Sequence, residues 1–201
     1  MHKKLKPIVI FTGPSGVGKG TIENFLFNYD DLRLAFSVSA TTRKPRQGEI
    51  DGVNYFFISK DNFKEKINKN ELLEYSFHFD NFYGTLYSEI ERIHNANNIP
   101  FLEIETHGAK QILAIPNIEK KYNIITFFVS PPSFEDLKSR IWNRNTETNE
   151  AIESRLLKAK EELEERKYFK NQIINDIPER AALEIRNLIL KEINDANSEI
   201  N

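Results

Sequence analysis

Residues 13–21 read Gly13-Pro14-Ser15-Gly16-Val17-Gly18-Lys19-Gly20-Thr21, a glycine-rich run ending in a lysine. Glycines let a backbone curl until successive N–H groups point inward at an anion, and Lys19 adds a full positive charge. That chemistry is phosphate binding. Gly20 stands where the usual pattern has a magnesium-ligating Ser or Thr, and Thr21 follows one residue later. A dinucleotide fingerprint is excluded, because it needs glycine at position 21. Three further groups carry charge that could act on phosphates. Arg43 and Arg46 lie three apart around Pro45 and could clamp an anion. Arg140, Arg144 and Arg155 flank a polar stretch and could neutralise a transferring phosphoryl group from a lid. Taken alone, the first arginine cluster fits a solvated loop better than a site, and the second fits a helix surface equally well. Glu103 and Glu105 end an apolar run, where α/β proteins bind ligands, and alternation puts both on one face. Two carboxylates on a buried strand are costly without cations or donors, which favours a site role.

Elements must hold these groups in place. The apolar run before Gly13 has strand length, and residues 22–27 show helical spacing, the strand–loop–helix order of a P-loop. Residues 99–104 and 123–129 read as further buried parallel strands, followed by helices over 108–115 and 133–142. Ser133 fits an N-cap, with Glu135 and Asp136 in the first turn. This β-α repetition predicts a three-layer α/β fold with a parallel core sheet. A largely β insertion is expected over 36–87, where short alternating segments and turns appear. A long helix over 150–170, a short strand at 173–175 and a closing helix over 178–193 complete the chain.

Composition sets outer limits. The chain has 201 residues, enough for one full core, with 28 Lys and Arg against 30 Asp and Glu, a net charge of −2. That balance argues against a dedicated nucleic-acid or anionic-membrane binder. The absence of cysteine excludes disulfides and thiolate metal sites and fits a reducing cytoplasm. No segment approaches the ~18 apolar residues of a membrane span, and the apolar run after the basic start is too short for a signal peptide.

Taken in order, the motifs resemble those of guanylate kinases over about residues 8–193. They are the glycine-rich loop, 36–49 with Ser39, Arg43, Arg46 and Glu49, 51–55, Leu73-Glu74-Tyr75, Asn81-Phe82-Tyr83-Gly84-Thr85, Ser130-Pro131-Pro132-Ser133, and the segment from Arg140 to Arg155. The resemblance implies a P-loop kinase fold in a single unit over 1–201. Its core would comprise 1–35, 88–139 and 156–201, with a GMP-binding insertion at 36–87 and a helical lid at 140–155. It implies transfer of the ATP γ-phosphoryl to GMP and dGMP, with Mg²⁺ as cofactor. Residues 13–21 and Asn175 would bind ATP, and Lys19, Arg140, Arg144 and Arg155 would stabilise the transferring group. Arg43, Arg46, Tyr55 and Tyr83 would hold the GMP phosphate, with Glu49 in the same site. Glu74 would read guanine, helped by Ser39, Thr85 and Glu105, with Glu103 nearby. Departures are Gly20 after the lysine, Glu103 and Glu105 in place of aspartates, Ala40 for Ser and Asn145 for Gly. Magnesium is therefore expected through water and nucleotide phosphates, with Thr21, Glu103 and Glu105 the available protein groups. ATP and GMP are the expected partners, in a cytoplasmic monomer or homodimer. Two rivals remain: a non-catalytic phosphopeptide-binding module, which tends to lose the lysine or lid arginines, and a sugar-phosphate kinase, which has no base edge to read.

Overall fold

The computed structural model describes residues 5–142 and 149–198. Its first strand, β1 (Lys6–Thr12), turns Val9 and Phe11 into one apolar cluster and Ile8 and Ile10 into another. A strand buried on both faces cannot alternate with polar residues, so it reads as one apolar run. There follow α1 (Lys19–Leu26), β2 (Leu34–Phe36), β3 (Ala40–Thr41), β4 (Phe56–Phe57), α2 (Lys60–Asn68), β5 (Leu72–His78), β6 (Asn81–Leu86), α3 (Tyr87–Asn95) and β7 (Ile99–Glu103). The second half holds α4 (Thr106–Leu113), α5 (Ile118–Lys121), β8 (Tyr122–Ser130), α6 (Phe134–Trp142), α7 (Asn149–Glu164), β9 (Asn171–Ile174) and α8 (Pro178–Ser198).

Five strands form a wholly parallel sheet in the order β2-β7-β1-β8-β9. One face is covered by α1, α6, α7 and α8, through residues such as Ile22, Leu137, Ile152 and Ile185. The other is covered by α3, α4 and α5, through Ile90, Ile112 and Ile118. The three-layer α/β architecture is the one the apolar runs predict. Because all five strands run the same way, the loops after β1, β7 and β8 emerge along one edge, where ligands of such sheets bind. Ser133 caps α6 as expected, its Oγ accepting from the Asp136 N–H at 3.0 Å.

A second, mixed sheet of order β4-β3-β6-β5 lies in the 36–87 region. Its small core is built on Ala40, Phe63 and Leu86. Phe63 comes from α2, a helix absent from the sequence expectation, whose N-cap Ser59 accepts from the Asn62 N–H at 3.1 Å. Only Phe63 and Ile67, four residues apart, mark its apolar face among charged and amide residues. Boundaries also move. Phe36 pairs with Phe101 in the large sheet, so it belongs to the core sheet. Arg140 lies inside α6, and α7 passes residue 155 without a break before ending at Glu164. The expected 150–170 helix therefore closes early, in a 3₁₀ turn over Glu165–Tyr168. Among the described residues no helix is long and apolar enough to cross a membrane.

Candidate active site

The glycine-rich loop joins β1 to α1 at the ligand edge of the large sheet. Gly18 has φ 96°, in the left-handed region, and a Cβ there would come within 2.7 Å of Asn175 Nδ2. Only glycine meets both demands. The loop is clamped from behind through the Val17 carbonyl, which accepts from Asn175 Nδ2 at 2.8 Å and an Arg140 guanidinium nitrogen at 2.9 Å. Arg140 also donates to the Asn175 carbonyl at 2.9 Å. The structure thus fixes Arg140 against the loop, where a mobile lid arginine was expected. Asn175, expected beside adenine, is buried beneath the loop, and its Oδ1 has no hydrogen-bond partner. Arg155 lies half-buried on α7, and Arg144 lies outside the described residues.

Lys19 Nζ donates to the Gly13 carbonyl at 2.8 Å and stands 3.9 Å from Glu103 Oε1. In front of the loop, a cavity of about 590 Å³ is lined by Ser15, Gly16, Lys19, Gly20, Thr21 and Glu103. Glu23, from the second turn of α1, lines it too. Its carboxyl is pushed up to about 7, first by burial and then by the charge of Glu103, with Lys19 opposing.

A second cavity of about 330 Å³ opens between the two sheets. It gathers Ser39, Arg43, Arg46, Tyr55, Glu74 and Tyr83, residues up to 44 positions apart in the chain. Arg43 is held in a two-point fork, its guanidinium donating to both Glu49 oxygens at 2.9 Å. That fork, with the Arg46 N–H, holds the Glu49 carboxyl down to about 2. Glu49, expected in the nucleotide site, instead stands behind Arg43 and aims it. The Arg43 guanidinium also lies 5.4 Å from the Tyr55 ring centre. Glu74 is buried, and burial pushes its carboxyl above the usual range. Thr85 Oγ1 donates to Glu74 Oε1 at 2.6 Å and is itself fully buried. That bond holds Glu74 in place, and Thr85 is not among the residues lining the cavity.

Sequence reading missed several lining residues. Ser76 and His78 share the Glu74 face of β5, and the His78 ring stacks on Tyr83 at 4.5 Å. Strand alternation from Glu74 was the available signal. Gly108 of α4 lies so close that a Cβ there would meet Glu74 Oε2 at 2.4 Å. No local pattern announces that approach. Glu103 ends β7 and Glu105 is the N-cap residue of α4. Both side chains are more than 40% exposed, 43% and 44%, so the expected burial penalty does not apply. Glu105 pairs with Lys158 of α7 at 3.0 Å.

A third cavity, about 280 Å³, joins the first two, sharing Ser15, Lys19 and Glu103 with one and Tyr55, Glu103 and Glu105 with the other. Two anion-binding ends thus face each other along one cleft. The donor set near Lys19 suits a hard cation held largely by phosphate oxygens. Glu103, Glu23 and the exposed Thr21 hydroxyl face that region, while no cluster of three or more acids, histidines or cysteines occurs among the described residues.

A parallel α/β sheet with a clamped phosphate loop and an opposed arginine-tyrosine pocket defines a nucleotide-binding kinase of the P-loop class. The guanylate kinase family model matches residues 4–192. The chain is 57% identical to a guanylate kinase of Mycoplasmopsis synoviae (strain 53), covering 96% of this chain and 98% of that one. It is 54% identical to a guanylate kinase of Mycoplasmopsis pulmonis (strain UAB CTIP), covering 96% and 97%. The crystal structure of guanylate kinase from Anaplasma phagocytophilum matches with a TM-score of 0.69 at 26% identity, over 94% of this chain and 87% of that one. The chain belongs to the guanylate kinase family.

Proposed function

We propose that this chain transfers the γ-phosphoryl of ATP to GMP, giving ADP and GDP. The observation that carries the reading is the buried Glu74 carboxyl at one end of a cleft whose other end is the phosphate loop. Guanine presents N1–H and a 2-amino group, two donors that a carboxylate matches. Adenine presents an acceptor at N1 and would leave the buried acid unpaired. Donors from guanine also offset the desolvation that raises the Glu74 carboxyl. None of these groups needs a 2′-hydroxyl, so dGMP is accepted too.

In this reading Arg43, Arg46, Tyr55 and Tyr83 grip the acceptor phosphate, with Glu49 fixing the Arg43 fork. Loop N–H groups cradle the ATP phosphates, and Lys19 exchanges the Gly13 carbonyl for a phosphoryl oxygen. Arg140 and Asn175 keep the loop in shape through Val17. Arg144 and Arg155 add charge over the transferring group. Mg²⁺ would neutralise charge across the ATP phosphates, and Glu103 with the other oxygen-bearing side chains of the same cavity would hold it. The GMP phosphate is already ionised, so no dedicated base is needed. Catalysis is then positioning, charge and water exclusion. Retention of Lys19 and Arg140 at the loop counts against a non-catalytic binding module.

A coupled ADP-release assay with GMP, dGMP, AMP, CMP and UMP tests this. GMP is expected to be turned over fastest. No turnover with GMP, or faster turnover with AMP, overturns the reading.

A further inference from the structure

Position 20 offers no hydroxyl, yet an acid reaches the space beside it. Glu23 lies three residues further along α1, on the same side of the helix. A methyl group at position 20 would lie 4.0 Å from Glu23 Oε2 and closer to no atom outside its own helical turn. Position 20 and the Glu23 carboxyl thus stand side by side, with room between them. Glu23 is 8% exposed, and its Oε1 is buried without a hydrogen-bond partner. It lines the same 590 Å³ cavity as Lys19, Thr21 and Glu103. A helix carboxylate is ordinarily left in water. This one is withdrawn from water and faces the space where nucleotide phosphates are expected, a costly placement unless a cation or donor meets it.

We propose that Glu23, together with Glu103, forms the protein side of the magnesium site in the ATP-bound enzyme and replaces the hydroxyl that Gly20 lacks. The inference rests on the ATP-dependent reading above. Two carboxylates suit an ion that takes one or two protein acids and completes its shell with phosphate oxygens and water. Glutamate supplies the reach: its carboxylate sits two methylenes from the backbone carbon, far enough to cover a neighbouring turn. Lys19, 3.9 Å from Glu103, keeps the pair from accumulating unopposed negative charge.

The test measures ADP affinity by calorimetry with Mg²⁺ and with EDTA, and needs no turnover. Wild type is expected to bind ADP more tightly with Mg²⁺. In Glu23→Gln that enhancement is expected to shrink about 10-fold, with EDTA affinity maintained. GMP affinity, measured on the same preparation, reports that the variant is folded, since Glu23 lies outside that pocket. Adding Gly20→Ser to Glu23→Gln is expected to recover part of the enhancement by restoring a hydroxyl. An undiminished Mg²⁺ enhancement in Glu23→Gln overturns the proposal. Failure of wild type to phosphorylate GMP would instead remove the functional reading, and the ADP titration distinguishes the two.

Discussion

Glu23 and Glu49 are acids displaced in opposite directions, and each displacement has a consequence for stability. The Glu23 carboxyl rises to about 7 in the folded chain from an ordinary value of 4.5. As pH climbs between those values the unfolded chain gives up its proton first, so the folded state loses ground. Glu23→Gln removes that penalty. Without metal, the variant is expected to be more stable than wild type at pH 8 by about 1–2 kcal/mol after allowance for solvent screening, and the gap should close below about pH 4.5. Thermal unfolding across pH in EDTA measures it; a variant less stable than wild type at pH 8 would contradict the assignment. Glu49, held down to about 2 by Arg43, has the reverse sign. Its contribution is present above about pH 4.5 and is lost as pH falls toward 2. An acid that weakens the fold at neutral pH is the pattern expected where function has overridden stability.

At the scale of elements, α2 is the least legible part of the fold and also the one on which the acceptor pocket leans. Its two apolar positions are too few to stand out from a polar stretch, whereas β1 and β8 announce themselves through long apolar runs. The phosphate loop was readable because its chemistry is local, nine residues in a row. The pocket's supporting contacts were not, because Glu74 meets Gly108, and Val17 meets Asn175, only after the chain has folded. Glu49 and Thr85 were placed in the right neighbourhood from their motifs, but their bonds to Arg43 and Glu74 were not foreseen, since a motif fixes proximity and not a side chain's partner. Phe63 carries the small sheet's core with Ala40 and Leu86. Phe63→Ala should cost about 3–4 kcal/mol there. The expected result is a rise in the KM for GMP of at least about 10-fold, with ADP affinity at the loop unchanged. Equal losses at both sites would mean that the two sheets do not melt separately.

Across the whole molecule, the acceptor pocket draws residues from both sheets: Arg43, Tyr55, Glu74 and Tyr83 from one region, Glu103, Glu105 and Gly108 from the other. A bound nucleotide would tie them together. The fork between Arg43 and Glu49 has a further effect on how that nucleotide arrives. Because the arginine's charge is already answered at 2.9 Å, little of its field extends into solvent. The chain as a whole carries −2 and repels an incoming dianion slightly. Capture is therefore short-ranged, and kcat/KM for GMP should change less than about threefold between 20 and 200 mM salt. A steep decline would indicate that the fork opens before encounter. An enzyme built this way gives up speed of collection to keep its strongest grip for a monophosphate that has already found the cleft.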